Sequence, residues 1–314
     1  MTGALGIVAA ASLLAAPLPA LPPQGLVLAE AGGVTFVDLT GKRLGRVDGL
    51  RFAWEDTNVA AGLPRFRDRA GNLWQLDLQR QRLVHAQTGT PLAGGATLAF
   101  RRQSQTWIVR SAGRLILRMR IGRESPFLSE DRDVVSTARR ALDLLSLRFV
   151  DLPRGCSVAS RRARHWILLC GRIASGALVP TSIEELVNGR RRLIAGPPVR
   201  RGPDGRVHGH WVYAMVSPDR RRLLAQWSGE CEIPTAFVVE DRRVRPFGAA
   251  SYAGSPESSA VGWLRNGTAV IHFPVGACGG SMRTPGAYLI PRLGKPRLLV
   301  ATRRLTSVAM WGGY

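Results

Sequence analysis

Two stretches of this chain follow one plan, 47 residues apart from Val216 to Trp263. Val216-Ser217-Pro218-Asp219 ends an apolar run and leads through three arginines into Leu223-Leu224-Ala225. Trp263-Leu264-Arg265-Asn266-Gly267 does the same before Ala269-Val270-Ile271. Both read as strand, tight turn, strand. Proline suits the second place of such a turn, and Asp or Asn accepts a local backbone hydrogen bond there. Each unit then continues through a loop holding a cysteine, an aromatic-apolar run (TAFVVE or GAYLIPR) and a basic-apolar run (RRVRPFG or PRLLVAT). The runs are short, rich in Val, Leu, Ile and aromatics, and bounded by Gly, Pro and Asp or Asn, as strands are. Like units at this period form a radial array or a solenoid. Four strands per unit favour the radial solution, a β-propeller.

The register extends along the chain. RFAW ends at Trp54, with NLWQLDL and RLVHAQ as later strands of its unit. ATLAF ends at Phe100 and precedes TWIVR and RLILRMRI; GCSVAS pairs with HWILLC and precedes RRLIAG. The final SVAMWGGY places Trp311 48 residues after Trp263, as an innermost strand with nothing behind it. GLVLAE, VTFVDLT and RLGRVDG at the other end read as strands two to four of the same unit. The N- and C-terminal strands are therefore expected to share one closing blade, which removes free sheet edges. The expected fold is all-β, a six-bladed propeller of four-stranded antiparallel blades over residues 26–314.

Two stretches interrupt the repeat. Residues 122–152 are too long for a loop. There Val135, Ala138, Leu142 and Leu145 fit a helical face, and Ser129 with nearby acids could cap it. A helical insertion is one reading, displaced blade strands the other. TSIEELVNG, residues 181–189, has Thr181 and Glu184 at capping-box spacing and Gly189 as a stop. It reads as a short helix or as a strand with a polar edge.

The repeat over residues 210–302 resembles the TolB-like propeller repeat, whose core runs Ser-Pro-Asp-Gly, apolar strand, loop, aromatic-apolar strand, basic-apolar strand. Ser217-Pro218-Asp219 matches three of the four turn residues, with Arg220 in place of Gly, and the next unit keeps Asn266-Gly267. The resemblance implies a six-bladed propeller of the cell envelope that docks partner proteins. It transfers no binding residue, because the shared residues shape turns.

The first residues, MTGALGIVAAASLLAAPLPALPPQG, carry no charged side chain. Their apolar heart from Ala4 to Ala16 suits a signal-peptide core and is short for a membrane span. A signal peptide over residues 1–20, or to 25, is expected, and with it an exported protein: extracellular, periplasmic or bound to the cell wall. The chain has four cysteines, and an even count in an exported chain favours disulfides. Cys156 and Cys170 would face each other across a hairpin turning near residue 163. Cys231 and Cys278 occupy the same loop of adjacent blades. Cys156–Cys170 and Cys231–Cys278 are the expected bridges.

Net charge is +22, from 44 basic and 22 acidic residues. Only Lys42 and Lys295 are lysines. The arginines come as pairs and triplets spread along the whole chain and flanking turns, as on a solvated surface. A nucleic-acid groove would concentrate them, so nucleic acid is disfavoured as a partner.

No catalytic or cofactor motif stands out. There is no Gly-x-Ser-x-Gly elbow, Walker loop, dinucleotide fingerprint or calcium loop. No Cys-x-x-Cys occurs, and His208 and His210 are two ligands without a third, so no metal and no cofactor are expected. His272 reads as a core or pore-facing residue, and His85 and His165 stand alone in strands. Ser258 and Ser259 lie in a Ser-rich interblade loop. The carboxylate pairs Glu55-Asp56, Glu130-Asp131 and Glu184-Glu185 are adjacent, so on a strand their members point opposite ways. Trp54, Trp263 and Trp311 share one repeat position and read as wedges between blades rather than a stacking platform. The expected function is a monomeric, non-enzymatic module that binds an envelope or extracellular protein or another ligand. Two alternatives are carried: a hydrolase or lyase at the central axis, and an arginine-rich surface that holds an anionic polymer.

Overall fold

The computed structural model describes residues 18, 20–53, 64–86, 90–92, 96–101, 106–111, 114–120, 127–129, 133–136, 140–162, 165–174, 177–198, 204, 207–229, 234–246, 258–274, 284–293, 295–301 and 307–313. Their strands form seven four-stranded antiparallel sheets. The first blade holds β1 (Gly25–Glu30), β2 (Gly33–Val37) and β3 (Arg43–Asp48). The second holds β4 (Arg51–Phe52), β5 (Arg65–Arg67), β6 (Leu73–Asp77) and β7 (Arg82–His85). The third holds β8 (Thr90–Pro91), β9 (Ala96–Arg101), β10 (Thr106–Ser111) and β11 (Arg114–Arg120). The fourth holds β12 (Phe127–Leu128), β13 (Val134–Ser136), β14 (Arg140–Asp143) and β15 (Arg148–Asp151). The fifth holds β16 (Cys156–Arg162), β17 (His165–Ala174), β18 (Ala177–Val187) and β19 (Arg190–Ala195). The sixth holds β20 (His210–Val216), β21 (Arg222–Ser228), β22 (Pro234–Glu240) and β23 (Arg243–Pro246). The seventh holds β24 (Ser259–Trp263), β25 (Ala269–Phe273), β26 (Gly286–Ile290) and β27 (Arg297–Ala301), and β28 (Ser307–Trp311) follows.

β28 pairs with β1, from Gly25 opposite Trp311 to Ala29 opposite Ser307. The expected closing blade is therefore present. β28 takes the innermost place and β1 to β3 follow outward. Elsewhere the first strands of neighbouring blades lie against each other, as β12 with β16, β16 with β20 and β24 with β28. These strands ring the axis. Burial follows the same radial order: β2, β25 and β26 are buried throughout, whereas the outermost strands β3, β15 and β19 alternate or are exposed. A strand buried on both faces must be apolar along its length, which is why these runs lack a clean period of two. Blade packs on blade through these faces. Leu223, Ala225, Trp227 and Phe237 of the sixth blade meet Ile167, Leu169 and Ile183 of the fifth.

The blade count is seven, not six. The missed blade is the fourth, inside the interruption at 122–152. Its described residues form strands β12 to β15, so the helical insertion is not formed there. Val135 and Leu142 lie directly opposite each other on β13 and β14. Residues seven apart share a face both on a helix and across a tight hairpin, so their spacing misleads. Ser129 caps no helix: its hydroxyl donates to Asp133 at 2.8 Å and accepts from the Val134 amide at 3.0 Å. TSIEELV likewise lies in β18, and Asn188-Gly189 turns it into β19 with φ of 47° and 76°. Two successive positive φ values make the turn that matches strand twist in a two-residue hairpin.

Trp263 and Trp311 are buried ends of innermost strands, at 1% and 0% exposure. Trp263 packs against the sixth blade and donates to the Met215 carbonyl at 3.1 Å. Trp311 packs against the second blade, on Phe36 and beside Phe52 and Phe66. Both are wedges, as expected, but in seams on opposite sides of their own blades. A register shift between Ala260 and Gly262 accompanies the difference, and one extra residue turns a side chain to the other face. Trp54 lies outside the described residues. Cys156 and Cys170 are directly opposed on β16 and β17 and form a disulfide, Cα–Cα 4.1 Å. Cys231 and Cys278 lie outside the described residues. The disulfide fits an exported protein. Among the described residues no helix is long and apolar enough to cross a membrane.

Candidate active site

In an antiparallel meander, the connections between strands one and two and between strands three and four emerge at the same rim. At that rim, between the fifth and sixth blades, lies a cleft of about 310 Å³. The fifth blade builds one wall by register. Arg162 is directly opposite His165, Ile167 is opposite Glu185, and Glu185 is opposite Arg192. His165 is two residues from Ile167 and so on its face, one diagonal step from Glu185. His165 Nδ1 lies 2.9 Å from Glu185 Oε1. Glu185 is 6% exposed, and a buried carboxylate requires a donor. An ionised carboxylate only accepts, so the imidazole places its proton on Nδ1. In the neutral imidazole that leaves Nε2 with a lone pair, on a ring whose side chain is 40% exposed.

The sixth blade supplies the other wall through two turns. The Ser217 hydroxyl donates to the Asp219 carboxylate and accepts from the Arg222 amide at 3.0 Å. Arg220 has φ of 58°, the left-handed conformation that glycine would give at that place. This turn carries Arg221 to the rim. Asp241 and Arg242, with φ of 48° and 63°, make the primed turn between β22 and β23 and carry Arg242 there. Ile194, Leu223 and Val239 give the cleft an apolar floor. Among the described residues, the side chains of Arg162, Arg192, Arg221 and Arg242 make no ion pair and no hydrogen bond.

A larger cavity, about 660 Å³, opens at the opposite rim between the first and second blades. Its acids already serve the fold. Glu30 is held by Arg43 at 2.8 Å and Arg46 at 3.1 Å. Burial opposes its ionisation, but these arginines and the Thr35 hydroxyl prevail and lower its pKa. Asp68 accepts from Asn72 at 2.9 Å and from the Trp74 indole at 3.0 Å, and its pKa is lowered too, against desolvation. Around the axis, the described innermost strands contain no Asp or Glu and one histidine, His210 at the start of β20. The axis thus offers no acid–base pair among the described residues, and the smaller cleft does.

The other histidines have structural surroundings. His85 stacks on Trp74 at 4.0 Å between ring centres. His208 Nε2 lies 2.9 Å from Asp204. His272 is buried opposite Ser259, and burial pushes its pKa down to about 4. Ser258 accepts from the Ala236 amide at 2.9 Å and is part of the frame. Among the described residues no three of His, Cys, Asp and Glu gather as a metal site. Sequence reasoning missed His165, read as standing alone, and Glu185, read only as half of an adjacent pair. Glu184 does point the other way, where it takes a forked bond from Arg191 at 2.7 and 2.9 Å. The signal for Glu185 was strand pairing: 20 residues separate it from His165.

No family model matches the chain, and no curated protein matches it. The TolB-like resemblance therefore rests on the turn residues and strand pattern of residues 210–302 alone. Solved structures do match in fold. An oligogalacturonate lyase in complex with manganese is 9% identical, with a TM-score of 0.40 over 90% of this chain and 80% of that one. An oligogalacturonate lyase from Vibrio parahaemolyticus is 8% identical, with a TM-score of 0.41 over 90% and 81%. The acylaminoacyl peptidase of Pyrococcus horikoshii is 10% identical, with a TM-score of 0.51 over 91% of this chain and 52% of that one. At such identities the likeness shows the β-propeller fold alone. The expectation of a non-enzymatic module is corrected this far: the Pyrococcus horikoshii protein, which holds this fold over about half its length, is a peptidase, so lack of a linear catalytic motif does not mark a propeller as inert.

Proposed function

We propose that this chain is an exported propeller enzyme, a hydrolase or lyase, acting on an anionic substrate in the cleft between the fifth and sixth blades. The observation that carries the reading is the His165–Glu185 pair, 2.9 Å apart, facing four arginines that no side chain neutralises. Glu185 fixes the tautomer and orientation of His165, a positioning role. His165 Nε2 is the general base. It takes a proton either from water, in hydrolysis, or from a carbon next to an acidic group, in elimination. In hydrolysis the water oxygen adds to the substrate, while the leaving oxygen departs and recovers that proton from the imidazolium. In elimination the C–H electron pair forms the double bond as the neighbouring C–O bond breaks, and the leaving oxygen is protonated. The guanidiniums hold the substrate's anion and stabilise charge that grows on its oxygens in the transition state. This reading moves the site from the axis to the rim.

The test is turnover on a panel of phosphate esters, lactones and uronate oligomers, with acid release reporting hydrolysis and ultraviolet absorbance of an unsaturated product reporting elimination. His165→Gln is expected to lower kcat by about 10²–10⁴-fold, and Glu185→Gln to lower it less. Turnover unchanged by His165→Gln, or none on any compound, refutes the proposal.

A further inference from the structure

Two other seams neutralise arginines within the protein. Between the fourth and fifth blades, Arg161 lies 3.1 Å from Asp133 and 2.6 Å from Asp143, with its guanidinium 5.1 Å from the Trp166 ring centre. Between the sixth and seventh, Asp219 lies 3.9 Å from Arg222 and 3.6 Å from Arg292, and Glu240 3.7 Å from Arg292. The seam between the fifth and sixth blades differs. Arg162, Arg192, Arg221 and Arg242 line it with two acids, Glu185 and Asp241, and none of the four lies within ion-pair distance of either. Four positive charges against two leave a surplus of two, which an anion from outside would balance.

We infer that this cleft binds a phosphate monoester, a deepening that rests on reading it as the active site. A monoester carries a charge of about −1.5 to −2 at pH 7 and presents three terminal oxygens. Each guanidinium is a planar fork that matches two oxygens at once. Three oxygens with several lone pairs can serve four forks; the two oxygens of one carboxylate cannot. A cavity of about 310 Å³ is at the small end of ligand sites. It leaves room for the phosphate and a small organic body against Ile194, Leu223 and Val239.

Calorimetry on the full chain tests this, with glycerol 1-phosphate and inorganic phosphate as probes and succinate as the two-carboxylate rival, at fixed ionic strength. Arg192→Ala and Arg242→Ala are each expected to weaken monoester binding about tenfold or more. Arg192→Lys keeps the charge, loses the fork and is expected to weaken it severalfold. Arg118→Ala, on β11, removes an exposed charge elsewhere and is expected to change nothing. An unchanged thermal transition shows that each variant is folded. No monoester binding by the folded protein, equal loss in Arg118→Ala, or tighter succinate binding overturns the inference. The two readings fail separately. Monoester binding kept in His165→Gln, with no turnover of any compound by the native chain, upholds the phosphate site and refutes the enzyme. Turnover confined to substrates without phosphate refutes the phosphate site alone.

Discussion

His272 is 4% exposed, and burial holds its pKa at about 4, against about 6.5 in an unfolded chain. Between those values the unfolded chain binds the extra proton. The neutral, buried imidazole therefore contributes fully above pH 6.5, and that contribution is lost as pH falls toward 4. At pH 5 the loss is about 2 kcal/mol. Urea midpoints at pH 7 and pH 5 check this, and His272→Gln is expected to remove most of the difference between them. The acids act in another window. Glu30, Asp68, Asp143 and Asp219 have lowered pKa values, so their contribution is full above the ordinary carboxylate range and is lost as pH falls through that range toward the lowered values. The Ser217 turn offers a second test at this scale. Ser217→Ala orphans the buried Arg222 amide and is expected to cost about 1–2 kcal/mol. Arg220→Gly relieves a left-handed residue and is expected to stabilise by up to about 1 kcal/mol. Thermal unfolding of both variants reads the two signs. This turn was legible in Ser217-Pro218-Asp219. His165 was not, because its meaning comes from a partner on the next strand rather than a neighbour in the chain.

The β16–β17 hairpin shows what pairing adds. Its disulfide spans 14 residues between directly opposed cysteines. Closing a loop of that size restricts the unfolded chain by roughly 3 kcal/mol. Cys156→Ser with Cys170→Ser is expected to lower the urea midpoint accordingly, and a reducing agent is expected to do the same to the native chain. That hairpin was legible because both strands are long and apolar. The fourth blade was not: its strands run two to four residues, too short to show a period. The loop closing it, with Leu145 and Leu147 exposed, breaks the rule that turns are polar.

Across the whole molecule, closure was readable and blade number was not. The unpartnered C-terminal SVAMW and the three-strand N-terminal unit could only complete each other. Removing residues 302–314 would strip β1 of its inner partner and take Val308, Met310 and Trp311 out of the core. A bare, apolar edge strand invites association. The truncated chain is expected to lose its cooperative transition and to elute as aggregate in size-exclusion chromatography. The arginine excess was plain from composition; its gathering at one seam was not, since Arg162, Arg192, Arg221 and Arg242 come from different strands and turns. Whether that seam is the working site is best decided by a crystal structure of the chain soaked with the first compound it turns over. Ligand between those four arginines, with the reacting atom about 2.6–3.2 Å from His165 Nε2, is the result expected. Ligand at the axis or in the larger cavity between the first and second blades, with the arginine cleft empty, would contradict it.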